Sequence, residues 1–328
     1  MNTKRWLAIG IAVVLLIVSI GFRFTMNLAS GFLNNMMDFD ETLLSEEILE
    51  EGDISNRIAV LNLEGVIQED IDSIFGTESL HEDFMKSIEK AGEDESIKGI
   101  ILKINSPGGA VGATAEIHRA LVELQEEYDK PIYVSMGETA ASGGYYAATP
   151  ADKIFAEPST LTGSIGVIME SMNFSGLAEK YGVKTNTIKS GKHKDIMSPT
   201  REMTDEEKDI LQTMVDEMYD DFVDVIVEGR DLSEDKVREL GDGRVYTGKQ
   251  AAENGLVDEV GNYDDAIKAM KDDYDLENAT VISYGLDLGI FGNISMSVKE
   301  MIQNKQDDLE IVSELMKRTD RPRAMYLY

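Results

Sequence analysis

The sequence predicts an α/β domain of right-handed strand–turn–helix crossovers, carried behind one N-terminal transmembrane helix. Two patterns point to the domain. Short apolar runs alternate with glycine-bearing turns and stretches of helical spacing, and a capping box opens one long amphipathic helix. An unbroken apolar run near the amino terminus points to the anchor.

Residues Trp6 to Phe22 are apolar or small throughout, with Lys4 and Arg5 before them and Arg23 after. As a helix the run extends about 25 Å, a little under a hydrocarbon core of about 30 Å, and Trp6 and the basic side chains can reach the interface. A cleaved export signal is the competing reading, but Ser19 and Gly21 match its small-x-small site poorly. The greater positive charge before the run keeps the amino terminus cytoplasmic, so a single-pass chain leaves its remaining residues outside the cell membrane. Residues 1–23 are therefore assigned to a cytoplasmic stub and anchor. From Asn27 to Asn56 no basic residue occurs while acidic ones accumulate, so 24–56 reads as an acidic stalk with one amphipathic turn around Leu43, Leu44, Ile48 and Leu49.

The main folded domain is expected over 57–290. It opens on Ile58 to Leu63, a short apolar run suited to a buried strand, and a second run covers Ile97 to Ile104. Pro107-Gly108-Gly109 then makes a turn, and Ala113, Ile117, Ala120, Leu121 and Leu124 recur at helical spacing. The unit repeats: Pro131 to Met136 extended, Gly137 to Ser142 a turn, Gly143 to Ala148 helical. Ile154 to Ala156 and Gly166 to Met169 supply further strands. Thr204 and Glu207 form the capping box, and the stripe from Ile210 to Ile226 behind it ends at Gly229. Residues 291–328 are assigned to a C-terminal helical segment and a basic, apolar tail.

Composition excludes several functions. The chain has 328 residues, 42% of them apolar, with 62 acidic against 31 basic side chains, a formal charge of −31 and no cysteine. Disulfides and thiolate metal sites are impossible, and so large an acid excess repels nucleic acid and anionic lipid headgroups. No cofactor or metal is expected.

The chemistry centres on Ala141-Ser142-Gly143-Gly144. A serine entering a helix has backbone N–H groups near its hydroxyl, and the adjacent glycines admit a substrate backbone. The same position also suits a plain N-cap. The amides of Gly109 and Gly143 would together make a two-donor oxyanion hole. A nucleophilic serine needs a base. His81 and His118 read as surface histidines, and His193 has only Asp195 as an evident orienting carboxylate. Lysine is the alternative, although an amine of ordinary pKa about 10.4 must be desolvated to serve at pH 7. Lys189, Lys192 and Lys194 lie together in the segment Lys189 to Pro199, and composition does not choose among them.

Several motifs occur in a fixed order: Asn105-Ser106-Pro107-Gly108-Gly109, Ala140 to Tyr146, Leu161-Thr162-Gly163-Ser164-Ile165-Gly166-Val167, Ser190-Gly191-Lys192-His193-Lys194-Asp195, and Gly243 to Gly248 followed by Gly255-Leu256-Val257-Asp258. Over about Ile58 to Tyr263 the chain resembles the signal peptide peptidase A family of Gram-positive type, membrane-anchored serine-lysine peptidases. That resemblance implies a ClpP/crotonase-like repeated β-β-α superhelix, with Ser142 as nucleophile and Lys194 as general base. It further implies that Ser164 orients the lysine and that Gly109 and Gly143 are the oxyanion donors. Implied partners are cleaved signal peptides, the membrane, and further copies in a homo-oligomeric ring whose sites are shared between protomers. The length resembles the short form of the family. A non-catalytic oligomeric membrane scaffold of the same fold is the alternative, and acyl-CoA chemistry on that fold fits an external location badly. A last expectation concerns Lys317, Arg318, Arg321 and Arg323 before Ala324-Met325-Tyr326-Leu327-Tyr328: this basic, apolar tail is either a frayed end or a pseudo-substrate for the chain's own groove.

Overall fold

A computed structural model of the chain describes residues 44–68, 80–286 and 324–328. The chain divides into two compact units, Met1–Ser45 with Leu286–Asn293, and Glu46–Gly285 with Ile294–Tyr328. The second unit is the one described below. The apolar run 6–22, expected to span a membrane, and most of 291–328 lie outside the described residues. Among the described residues no helix is long and apolar enough to cross a membrane.

The α/β class expected from the alternation is the class observed. The main sheet runs in the order β1 (Leu44–Glu50), β11 (Ala279–Leu286), β2 (Asp53–Glu64), β3 (Ile97–Ser106), β5 (Ile132–Ala141), β6 (Lys153–Ala156) and β10 (Glu259–Val260). From β11 to β10 every neighbouring pair is parallel. Parallel strands are covered on both faces, which is why β2, β3 and β5 read as near-continuous apolar runs. On one face Ile58, Val60, Ile101, Tyr133 and Phe155 pack with Ala266 and Met270 of α8 (Tyr263–Asp273). Helix α1 (Leu80–Glu93) precedes β3, and α2 (Val111–Tyr128) precedes β5, so each is a crossover of the expected kind.

Two features shape the site. Strand β5 outlasts β6: its Tyr133–Met136 stretch pairs with β6, while Thr139, Ala140 and Ala141 pair in parallel with Leu161, Thr162 and Gly163 of β7 (Leu161–Gly163). Strand β9 (Val245–Thr247) closes the far side of β7 antiparallel. A separate three-stranded sheet places β12 (Ala324–Leu327) between β4 (Gly108–Ala110) and β8 (Ile168–Met169). The remaining helices are α3 (Gly143–Ala148), α4 (Ser175–Lys180), α5 (Asp205–Arg230), α6 (Glu234–Leu240) and α7 (Gly248–Asn254). The capping box at Thr204 and Glu207 forms as expected, and α5 ends at Asp231 in the left-handed conformation, two residues beyond Gly229.

Three local expectations are corrected. Leu44–Glu50, expected to be spacer with a helical turn, is strand β1, and β2 begins at Asp53, ahead of the domain start placed at residue 57. Gly137–Ala141, expected as a turn, continues β5, because β7 supplies a new partner where β6 ends. Gly108-Gly109, expected as a tight turn, is extended, because Ile67 borders it on one side and β12 on the other. In each case a backbone partner distant in sequence overrides weak local preference.

Candidate active site

The register of β5 on β7 sets Ala141 opposite Gly163, so Ser142 and Ser164 leave adjacent strands at the same level. Ser142 donates its N–H to the Gly163 carbonyl at 2.7 Å, and its own carbonyl accepts from Tyr146 at 2.9 Å as α3 begins. These bonds hold Ser142 at φ 53°, ψ −117°, a conformation a side chain with a Cβ rarely adopts. Its hydroxyl is buried and has no hydrogen-bond partner among the described residues, so the serine does not cap α3. Ser164 also lies at positive φ, 49°, with its N–H donated to the Arg244 carbonyl at 2.8 Å. The family-like motifs meet here: Arg244 and Tyr246 brace the Ser164 strand, and the Leu256 carbonyl accepts the Tyr145 hydroxyl at 2.8 Å, pinning the helix behind Ser142.

The glycines beside Ser142 are there for close approach. A Cβ on Gly109 would sit 1.8 Å from the Ile67 carbonyl oxygen. One on Gly143 would sit 2.8 Å from Thr114 Oγ1 and 3.1 Å from the Gly109 nitrogen. The two amides expected to form an oxyanion hole are thus brought together by packing. Thr114 Oγ1, fully buried and without a partner among the described residues, borders the same pocket, and nothing in its sequence context singles it out from the apolar face of α2.

Residues 324–328 lie across this site as an extended peptide. Tyr326 pairs with Gly109 and Leu327 with Gly108, antiparallel, and Tyr328 donates its N–H to the Pro107 carbonyl at 2.9 Å. The Tyr326 carbonyl oxygen and the Gly143 nitrogen both lie within 2.5 Å of the point a Gly108 Cβ would occupy, so that carbonyl sits at the glycine-lined hole. Its ring is buried between Tyr146, stacked at 5.0 Å, and Phe222 at 4.8 Å, and its hydroxyl donates to the Met218 carbonyl at 2.9 Å. Periodicity places Met218 and Phe222 on one apolar stripe and Tyr146 on a short helix; only the strand seated on them shows that they line a side-chain pocket.

The structure brings Ser142, Ser164, Gly109 and Gly143 together, but it does not bring Lys194 to them. Lys194 is exposed on a run of turns, and its amine makes no hydrogen bond or ion pair among the described residues. Its neighbours are all engaged: Lys189 with Asp195 at 2.5 Å, Lys192 with Glu206, and His193 near Glu206 and Glu207 at 3.4 and 3.7 Å. Asp195, the expected orienting carboxylate for His193, is instead held by Arg201, which with Lys189 keeps it well below the usual carboxylate range. The surface assignments of the other two histidines are corrected. His81 is half-buried against Glu116 at 2.9 Å where α1 meets α2, and His118 is half-buried edge-on to Tyr146 of α3 at 5.2 Å. None of the three is bonded to Ser142.

A strained, unbonded serine beneath an extended peptide whose carbonyl meets converging backbone amides defines a serine peptidase. Residues 125–277 match peptidase family S49. A candidate signal peptide peptidase SppA of Enterococcus faecium is 39% identical over 100% of this chain and 99% of its own length. Protease 4 of Haemophilus influenzae is 34% identical over 90% of this chain, which spans 50% of that protein. Among solved structures, a mutant ClpP1 of Listeria monocytogenes aligns with a TM-score of 0.41 and 19% identity, over 63% of this chain and 94% of that one. The chain belongs to the S49 peptidase family.

Burial of His118 gives one testable consequence. Desolvation lowers its imidazole to about 4 from an ordinary 6.5. Between those values the unfolded chain takes up a proton that the folded chain refuses, so this histidine makes stability fall as pH drops from 6.5 towards 4. From pH 7 to pH 5 the loss is at most about 2 kcal/mol. Urea unfolding of wild type and His118→Gln at the two pH values should show that loss reduced in the variant; an identical pH dependence would refute the assignment.

Proposed function

We propose that this chain is a membrane-anchored serine endopeptidase that hydrolyses remnant signal peptides, and other unfolded peptides, at the outer face of the cytoplasmic membrane through a Ser142–Lys194 dyad. The single observation that carries the reading is the 324–327 strand, which occupies the groove as a substrate would. The names of the relatives support the substrate class, and the apolar run 6–22 supports the anchor.

The reaction follows from the roles. Lys194, as the free amine, takes the Ser142 hydroxyl proton while Oγ bonds to the substrate carbonyl carbon. The developing oxyanion is met by the Gly109 and Gly143 amides, donors worth roughly 3–4 kcal/mol each where such holes have been dissected. Lys194 returns the proton to the leaving nitrogen as the C–N bond breaks, leaving an acyl ester on Ser142. Water then gives a proton to Lys194 as its oxygen bonds to the ester carbonyl carbon, and Lys194 passes that proton to Ser142 Oγ as the C–O bond breaks, releasing the peptide acid and restoring the free serine and amine. Ser164 holds the amine in line. Lys194 is favoured over Lys189 and Lys192 because a carboxylate partner stabilises an ammonium and makes it a poor base, and Lys194 alone of the three lacks one among the described residues.

An exposed amine is a poor base too, so Lys194 must be stripped of water by a surface outside its own protomer. Met172, Phe174, Leu177, Tyr181, Val183 and Ile188 are all exposed in the protomer, an apolar face consistent with packing against a second copy in a homo-oligomeric ring. In this reading serine and lysine of one site come from neighbouring subunits.

Ser142→Ala and Lys194→Ala should each abolish cleavage of a fluorogenic peptide while leaving the assembled particle intact. Mixing the two after dissociation should restore part of the activity. Retained turnover in Lys194→Ala would discard the dyad, and a rate flat from pH 5 to pH 9 would discard a lysine base.

The residue before the scissile bond is the one whose carbonyl enters the hole, the place of Tyr326. Peptides with Tyr or Phe there should be cleaved about 10-fold or more faster than those with Ala, and removal of 324–328 should lower KM for such peptides with kcat unchanged. Indifference to that residue would sink the pocket assignment. Unchanged KM would show that the tail does not compete for the groove.

A further inference from the structure

We infer that Arg201 is a positioning residue for the proposed base: by gripping Asp195 on one side and Glu207 on the other, it fixes the turn that presents Lys194. The inference rests on the dyad reading above and adds to it a residue that never touches substrate.

The segment carrying Lys194 contains no helix or strand. Its backbone is a succession of tight turns, Lys194 N–H to Gly191 O, Ile196 N–H to His193 O and Ser198 N–H to Asp195 O, at 3.0 to 3.2 Å. Such a segment is free to move unless side chains tie it down, since each ordered residue opposes about 1–2 kcal/mol of backbone entropy. Arg201 provides the tie. Its Nε and Nη2 donate to the two Asp195 carboxylate oxygens at 3.0 and 2.7 Å, and Nη2 also reaches the Asp195 backbone carbonyl at 3.0 Å. Nη1 and Nη2 donate to the two Glu207 oxygens at 2.7 and 2.6 Å, and Nη1 to the Glu202 carbonyl at 3.0 Å. Both carboxylates are held two-pronged by one planar fork, a geometry an ammonium cannot copy.

The two ends of this clamp matter unequally. Asp195 follows Lys194 directly in the chain, so fixing its side chain and its carbonyl fixes the peptide that bears the base. Glu207 is the rigid end. It is 2% exposed, it closes the capping box by accepting the Thr204 N–H at 3.0 Å, and it belongs to α5, whose Phe222, Val223 and Ile226 are buried in the core. The same helix offers the Met218 carbonyl to Tyr326, so one rod supports both the presented lysine and the pocket for the bound peptide.

The clamp also has an electrostatic part. The charged groups around Lys194 in its own segment and on α5 are Lys189, Lys192, His193, Asp195, Glu206 and Glu207, and every carboxylate among them is already paired with a cation other than Lys194. Hydrogen bonds from Arg201 hold both the Asp195 and the Glu207 carboxyls well below their usual range. Without Arg201, Lys189 still holds Asp195 Oδ1, but Oδ2 loses its partner and can pair with the adjacent Lys194 amine, which would hold that amine charged and remove the base.

The test uses the full-length assembled protein and Arg201→Met, Arg201→Lys and the double variant Arg201→Met/Asp195→Asn. Arg201→Met should lower kcat by about 10- to 100-fold, the scale known for removing the outer supports of metal ligands, with KM within about twofold. It should also move the acid limb of the kcat profile to higher pH. Adding Asp195→Asn should return that limb towards its original position, because the freed carboxylate is gone. Arg201→Lys should not restore kcat, and if Arg201→Met fails to assemble, Arg201→Lys is judged by the same two readouts. An assembled variant with unchanged kcat and an unmoved limb would overturn the inference, as would a loss of kcat with the limb unmoved, which is plain structural damage. Lys194→Ala, run alongside, separates this from failure of the dyad itself: activity surviving there discards the base, whatever Arg201 does.

Discussion

The site depends on one backbone conformation, that of Ser142. At φ 53°, ψ −117° it is held where a serine does not go unaided, at a cost of order 1–3 kcal/mol. The hold is supplied by the end of β5: its last residue pairs with Gly163, the Ser142 N–H follows onto the Gly163 carbonyl, and α3 starts at once with its own anchor through Tyr145. A relaxed serine at a helix start would turn its hydroxyl back to cap the helix. Here the hydroxyl is left without a partner, which in a buried position is unfavourable for stability and is what a nucleophile requires.

From that constraint the surrounding glycines follow. With Ser142 fixed, the Gly143 backbone is pressed against Gly108, Gly109 and Thr114, and each Cβ that would intervene has no room. The peptide that lies alongside is recognised mainly through its main chain, by antiparallel pairing to β4 and β8, and through one deep aromatic contact at Tyr326. Pairing of that kind reads extension rather than sequence, with selectivity confined to the pocket. It suits an enzyme proposed to clear unfolded peptides.

Much of this was legible in the sequence because it is local. The strands from Ile58, Ile97 and Pro131, the helix after Ser142, and the capping box at Thr204 and Glu207 all announce themselves through short-range pattern. What was not legible is what depends on distant backbone partners. Gly108-Gly109 is extended because Ile67 and residues more than two hundred positions later border it, and Leu44–Glu50 is a strand because β11 lies beside it. His81 and His118 carry polar neighbours in sequence, yet His81 packs between α1 and α2 and His118 against Tyr146 of α3, and periodicity could not tell the pocket wall at Phe222 from ordinary core. The three-lysine segment was ambiguous in composition and becomes less so once two of its lysines are seen in ion pairs.

The two halves of the proposed site are prepared in different ways, and the difference explains how such an enzyme avoids digesting itself. The serine half is complete within one protomer: strained nucleophile, converging amides, side-chain pocket, and a strand of its own chain already seated over them. The lysine half is only presented, on turns tied to α5, with its side chain exposed. The proposed dyad requires that water be removed from this amine by another surface, and the exposed apolar face from Met172 to Ile188 is the feature of the described residues best suited to bring one. In the proposed mechanism, then, the free energy of subunit packing performs the desolvation that generates the base. Reactivity would appear only in the assembled particle, inside which the only peptides admitted are those extended enough to replace the 324–327 strand.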